Sequence, residues 1–248
     1  MALRKTGAFA VSTLLLSSLA LVALANVPIA MASSTPQIVQ FSSGYTSGGS
    51  DTSVSLTFQN PVAKGDTIVL CTTIASGNGI KITSDKPTDS LTTVYHGLQL
   101  TRTDHYQYDS YARAWFGVAT TSGSAAVHLS YVSGPAAIFG YEISGAGTVS
   151  SGSFISSSGH GRTSASPSVT AYSPNADSLV IACGSFANPT GTVSNISAGT
   201  GYTLDQQFVS DFAAQHLSGF SGTSTTSPFS LGLNAPRWSE VSVSISGA

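Results

Sequence analysis

The stretch "TIVLCTTIA", residues Thr67–Ala75, decides how this chain is read. Ile68, Val69, Leu70 and Cys71 are apolar without a break, and Thr67, Ile68, Val69, Thr72, Thr73 and Ile74 are β-branched. β-Branched side chains pack well on a pleated surface and lose rotamer freedom in a helix, so the segment reads as a strand. Successive strand residues point to opposite faces. A strand apolar on both faces needs cover on both sides, which places it in the middle of a sheet. "SLVIACGSF" (Ser178–Phe186) is a second run of this kind. Around these two, Val54, Leu56 and Phe58 alternate with Ser55 and Thr57. "YARAWFGVA" (Tyr111–Ala119), "AAVHLSYV" (Ala125–Val132), "AAIFGYEIS" (Ala136–Ser144), "FSLGL" (Phe229–Leu233) and "WSEVSVSIS" (Trp238–Ser246) continue the pattern. Turn signals such as "SGNG", "TSGS", "VSGP" and "SGAG" separate them, and helical periodicity is almost absent beyond residue 32. The expected fold is all-β: an antiparallel two-sheet β-sandwich, jelly-roll-like, in a single domain.

The first 32 residues do not belong to that domain. Arg4 and Lys5 give a positive start, no charge occurs from Thr6 to Ala32, and Leu14, Leu15, Leu16, Leu19, Leu21, Val22 and Leu24 form an apolar core. Ala30-Met31-Ala32 supplies the small-x-small pattern of a signal-peptidase site, so residues 1–32 read as a signal peptide cut before Ser33. Two other readings stand beside it. The uncharged run is long enough for an uncleaved anchor, and "RKTGAF" resembles a prepilin-type site cut after Gly7. Asn26 and Pro28 argue against the latter, because proline removes a helix donor and clashes with the preceding turn.

Beyond the leader, seven basic side chains face eleven acidic ones, a net charge of −4 with no cluster of either sign. Nothing there would hold phosphates, so nucleic acid is not an expected partner. Solubility rests on Ser, Thr, Asn and Gly, a surface whose charge changes little with pH. Cys71 and Cys183 are the only cysteines. Export predicts a disulfide between them, which would close a long loop and stabilise by roughly 4–5 kcal/mol in the chain-entropy model. The other reading is two free buried thiols.

A faint internal echo links the two cysteine-bearing strands. "NPVAKGDTIVLC" and "SPNADSLVIAC" both run from Pro through Asp and Thr or Ser into an apolar strand. The echo suggests two equivalent strands of one sandwich rather than two domains. Cys71 lies five residues past Asp66, whereas Cys183 lies six past Asp177. A one-residue offset reverses the face, so the echo alone does not bring the sulfurs together. Gly145–Ser166, rich in Ser and Gly, reads as a long connection with one weak strand.

Candidate chemistry is thin. "RTDHYQYDSYARAW" (Arg102–Trp115) gathers Asp104, His105, Tyr106, Tyr108, Asp109, Tyr111, Arg113 and Trp115. One reading is a glycan platform on Tyr106, Tyr108 and Trp115, whose ring faces would stack on sugar C–H groups. The other is a hydrated loop leading into a core strand. Carboxylate catalysis needs two acids across one cleft, and the chain has two glutamates. Glu240 shares a face with Trp238, Ser242 and Ser244, which reads as outward. Glu142 shares a face with Ile138 and Gly140 and, if buried, needs a partner such as an arginine. His96, His105, His128, His160 and His216 show no metal-ligand spacing. "DHYQYD" lacks the glycine and glutamate of an EF-hand loop, and "SGHGR" around His160 has no serine elbow to accompany it. No cofactor, metal or catalytic residue is expected. Asn195-Ile196-Ser197 is the one acceptable N-glycosylation sequon.

The order "FQNPVAKGDTIVL", "AIFGYEISGAGT", "PNADSLVIACGSF", "GTGYTLDQQF" and "RWSEVSVSIS" resembles secreted β-sandwich modules of bacteria and archaea, over about Gln37 to Gly247. The whole also resembles a subunit of archaeal extracellular threads, in which an N-terminal strand completes the next subunit. The resemblance implies a surface or filament protein without catalysis.

The freed end, "SSTPQIVQFSSGYTSGGSD" (33–51), fits that implication. Pro36 disfavours helix, Ile38, Val39 and Phe41 are strand formers, and Gly44, Gly48 and Gly49 read as a flexible tether. Residues 33–49 are thus a candidate donor strand with its tether, and 50–248 the sandwich. The strand either folds into its own sandwich or adds to the edge of a neighbour. The function expected is a secreted structural cell-surface protein, a subunit of an extracellular filament whose partners are copies of itself. The alternative is a carbohydrate-binding sandwich that acts as an adhesin on cell-surface glycans. In the filament reading, residues 33–49 should lack contacts within an isolated subunit.

Overall fold

The computed structural model describes residues 34–77, 86–103, 108–147, 154–161, 163–172, 175–187, 195–208, 211–232, 234–235 and 237–248. The signal-peptide segment lies outside the described residues. Among those described there is no helix, and residues 34–248 form one compact unit.

The strands fall into two sets. The first comprises β1 (Gln37–Thr46), β2 (Ser53–Thr57), β3 (Thr67–Gly77), β4 (Thr88–Asp89), β5 (His96–Thr103), β6 (Tyr108–Val118), β7 (Ala126–Ser130) and β8 (Ala136–Ser144). The second comprises β9 (Phe154–Gly161), β10 (Thr170–Tyr172), β11 (Ser178–Ala187), β12 (Ser197–Ala198), β13 (Thr203–Phe208), β14 (Phe212–Phe220), β15 (Ser224–Thr226), β16 (Phe229–Ser230) and β17 (Arg237–Ile245). In the first set a five-stranded sheet runs β1-β8-β3-β6-β5 and a small sheet runs β2-β7-β4. In the second the five-stranded sheet runs β9-β17-β11-β14-β13, with ribbons β10-β15 and β12-β16 beside it. The two orders are the same once β15 and β16 are taken as one strand. Ser227-Pro228 interrupts that strand, because proline cannot donate to a ladder. The last strand of each set lies between the first and the third, which is jelly-roll connectivity.

The two five-stranded sheets pack face to face, the antiparallel sandwich the alternation predicts. β3 lies over β11, β6 over β17, β5 over β9, β8 against β14 and β1 against β13. In equivalent strands, five sits on one and one on five. The halves are therefore related by a pseudo-two-fold axis through β3 and β11, the self-complementary arrangement of an isologous interface.

The two-sided runs are explained by this layering. Val69, Cys71 and Ala75 of β3 meet Leu179, Ile181 and Cys183 of β11 in the layer between the large sheets. Ile68, Leu70 and Ile74 face the other way, onto Val54, Leu56, Val127 and Leu129 of the small sheet. In the second half Ala182 and Phe186 face Ile196 and Phe229 of a ribbon. Each central strand is thus covered twice.

The internal echo marks more than two equivalent strands; it marks two complete halves. The equivalence also differs from the one suggested by matching Asp66 with Asp177. Gly65 (φ 95°) and Asp177 (φ 58°) both adopt the left-handed conformation at the turn into the strand. Aligned on that turn, Asp66 corresponds to Ser178, and Cys71 and Cys183 each lie six residues past the left-handed residue. The apparent one-residue offset disappears, and both cysteines point into the same layer.

Candidate functional site

β1 is the first strand described and stands at the edge of its sheet, with β8 as its sole ladder partner. Residues 37–46 therefore do make contacts within their own chain, contrary to the expectation for a free donor, and they do so at an edge rather than a central position. The ladder runs from Gln37↔Ser144 to Thr46↔Ala136, with a bulge between Ile38 and Gln40. The bulge leaves Val39 53 % exposed while Ile38 and Phe41, three residues apart, both pack on the inter-sheet layer. Of the donor residues Ile38, Val39 and Phe41, only the first and last are anchors. Phe41 meets the Tyr141 ring at 5.0 Å, and Tyr45 stacks on Phe208 of β13 at 5.1 Å.

The other face of β1 is fixed by polar contacts. Asn60 N donates to Gln40 Oε1 at 3.0 Å, and Gln40 Nε2 donates to Asn60 O at 2.9 Å. The same Nε2 donates a short hydrogen bond to Glu142 Oε2. Glu142 Oε1 accepts from Ala63 N at 2.8 Å. Glu142 is buried, and its partners are an amide, a backbone N–H and the Asp66 carboxyl rather than an arginine. Burial first, then the hydrogen bond and the negative charge of Glu142, push Asp66 up to about 6. Glu142 thus links Asp66 to Gln40 of β1. Ser42 Oγ donates to Thr57 O at 2.7 Å, and Thr46 Oγ1 lies 2.8 Å from Tyr131 Oη.

Gly44 belongs to β1 rather than to the tether. A Cβ there would overlap the Ser55 carbonyl oxygen, so β1 crosses β2 at backbone contact. The tether is residues 47–52, closed at its base by Gly48 N donating to Asp51 Oδ2 at 2.8 Å. Gln40 and Tyr45 were not picked out by sequence pattern, and Gly44 was read as part of the tether. A glycine amid strand formers was the one available signal of close backbone approach.

Replacing Gln40 by alanine is expected to cost about 1–3 kcal/mol, because Glu142 Oε2 and the Asn60 backbone lose their partners in a half-buried setting. Urea melts would measure the loss, and amide exchange at β1 should rise before that at β3. Uniform exchange across both strands would count against a locally held β1.

The other sequence candidates fall elsewhere. Trp115 is 3 % exposed in the layer between β6 and the small sheet. Its Nε1 donates to Thr72 Oγ1 at 3.3 Å, and the Arg113 guanidinium lies 3.8 Å over its ring. It therefore offers no face to a sugar, which corrects the glycan-platform reading at that residue. Tyr106 and the side chain of Tyr108 lie outside the described residues, as do His105 and Asp104. Glu240, read as outward, is wholly buried, because ribbons β10-β15 and β12-β16 cover the outer face of the second large sheet. His216 Nδ1 and Asp205 Oδ1 are 2.7 Å apart, and Asp205 Oδ2 accepts from Tyr141 Oη at 2.7 Å. Asn195 is exposed in a left-handed conformation (φ 60°). Cys71 and Cys183 are free thiols in this structure, both fully buried between the large sheets.

No family model, curated protein or solved structure matches this chain.

Proposed function

We propose that this chain is an exported structural subunit that assembles into extracellular filaments by exchanging β1 between copies. The observation that carries the reading is the position of β1: first in the chain, at a sheet edge, held by one ladder and a set of side-chain anchors, and followed by a tether. An edge slot of this kind accepts a strand from its own chain or from a neighbour through the same backbone hydrogen bonds. Exchange in one direction is heterologous, and where the rotation does not close it yields an open fibre. The six tether residues span at most about 20 Å, so the donor's neighbour must sit close against β2. The choice between the two states rests on effective concentration and tether strain, since the contacts are the same. The signal-like leader, the sparse surface charge and the exposed Asn195 sequon are in keeping with an exported, glycan-bearing surface protein.

Electron microscopy of material sheared from the cell surface tests the proposal, alongside assembly of the purified chain. Fibres with one subunit per repeat are the expected result. A chain lacking residues 34–46 should not extend fibres and should stop growth when mixed with the full chain. Fibres that form undiminished from the truncated chain would sink the proposal.

A further inference from the structure

We propose that Cys71 and Cys183 are oxidised to a disulfide that staples the two jelly rolls together at their pseudo-two-fold axis. Three observations carry this. The cysteines are structurally equivalent, six residues past the left-handed turn residue on the central strand of each large sheet. Those two strands lie face to face, and both side chains enter the same layer. The sheets also approach more closely here than is usual.

The third point decides whether a bridge fits. Packed sheets ordinarily stand about 10 Å apart, whereas a disulfide needs Cα atoms within roughly 7 Å. Cys71 pairs with Ala114 and Phe139 and Cys183 with Ala214 and Val241, and Ala75, Ala112 and Ala137 belong to the same layer. Small side chains let the backbones draw together, and the serines register it. Ser110 Oγ donates to Ser185 O at 2.9 Å, Ser185 Oγ to Ile74 O at 3.3 Å, and Ser239 Oγ to Ser110 O at 2.9 Å. A one-carbon hydroxyl side chain reaches the opposite backbone. Ser185 is two residues from Cys183 on the same face, and Ile74 is three from Cys71. One contact therefore ties the two cysteine-bearing strands within two and three residues of the sulfurs.

The oxidant is the disulfide of an exported thiol–disulfide oxidoreductase. One cysteine thiolate attacks a sulfur of that disulfide, forming a mixed disulfide and expelling the oxidoreductase's other sulfur as a thiolate. The second cysteine thiolate then attacks the substrate sulfur, the S–S bond forms, and the oxidoreductase leaves as a dithiol. It has gained two electrons, and the two protons lost by the cysteines end on its sulfurs. Because both sulfurs are fully buried in the closed sandwich, the exchange takes place before the two sheets dock. Afterwards the bond is shielded from reductants.

The test uses the monomer secreted through an oxidising compartment, isolated before any assembly, so its failure leaves the filament reading untouched. The chain is denatured with iodoacetamide present and no reductant, digested, and mapped by mass. The expected result is the Cys71 peptide joined to the Cys183 peptide, with neither alkylated. Two alkylated cysteines overturn the proposal. The Cys71→Ala/Cys183→Ala chain should melt roughly 10 °C below the secreted wild type, and an unchanged Tm counts equally against it. Should that variant fail to fold, the peptide map still decides.

Discussion

A valine at position 44 is expected to drive β1 out of its slot. The Cβ alone would overlap the Ser55 carbonyl oxygen, and the obstruction is backbone, which cannot rotate aside. Gly44 pairs with Ile138 inside the β1–β8 ladder, with pairs on either side, so the strand cannot accommodate the clash without breaking bonds around it. Overpacking of this kind costs about 3 kcal/mol or more. Loss of the strand uncovers more. Phe41 leaves Tyr141, Tyr45 leaves Phe208, and Gln40 abandons Glu142. Three readouts should move together. The urea midpoint falls, limited proteolysis cuts between residues 34 and 52, and fibre formation stops, because the neighbour's slot rejects the same strand. A synthetic peptide of residues 34–46 with the native glycine should restore stability to a chain lacking β1, and its valine counterpart should not. If Gly44→Val melts like the wild type and its β1 amides stay protected, the crossing of β1 over β2 is not what seats the strand.

Stability is expected to be greatest in acid and to fall as pH rises through neutrality. Burial pushes Glu240 well above the usual carboxylate range, only partly offset by the bond Ser227 Oγ donates to its Oε1 at 2.7 Å. Its Oε2 has no hydrogen-bond partner among the described residues. Burial likewise pushes Asp211 up to about 6, and burial with the Glu142 neighbour holds Asp66 at about 6. All three shifts have one sign. The folded protein keeps protons that the unfolded chain releases above about pH 4. The contribution of these groups is therefore complete below pH 4, is lost through pH 6 for the two aspartates, and continues to be lost above that for Glu240. A proton so held costs up to about 1.4 kcal/mol per pH unit over its window at the wholly buried Glu240, and less at the part-exposed aspartates, where solvent screens the charge. Tm should peak near pH 4 and decline towards pH 8. The pseudo-two-fold supplies the matching variant. Glu240 pairs with Gly184 as Ile138 pairs with Thr72, so the equivalent position in the first half is a buried isoleucine. Glu240→Ile should flatten the profile and exceed the wild type at pH 8. Ser227 Oγ keeps a partner in Val169 O at 3.1 Å. A Tm that climbs from pH 4 to pH 8 would refute the assignment.

The central strands were legible because their residues carry two apolar faces. Ile68 and Val69, or Ile181 and Ala182, cannot both be covered unless layers lie on each side. The same residues could not say which layers. The pattern at Trp238–Ser246 puts Glu240 opposite Val241 and Val243, and that alternation is correct. Its outward face is nonetheless buried, because segments distant in sequence fold over it. Trp115 had two readings, and the core-strand one holds. An aromatic beside charged residues looks like a surface, yet in the strand Asp109 is buried and Arg113 stacks on the Trp115 ring. At the candidate site Ile38 and Phe41 could be found by their strand propensity. Glu142 could be flagged as needing a partner if buried, but Gln40 could not be found as that partner, since a hydrogen bond between residues 102 apart leaves no local trace.

By itself the sequence determined the class of fold, its two central strands and the N-terminal segment able to act as a strand. These follow from side-chain period and backbone preference, which are local. Only the tertiary structure decided that the chain is two jelly rolls about a pseudo-two-fold axis, that β1 occupies an edge, and that both cysteines enter one layer. The doubling was hidden by a turn. Gly65 and Asp177 share a left-handed backbone but no side chain, so matching letters set the halves one residue out of step. Conformation at that turn, fixed by the packing of each half, restores the register.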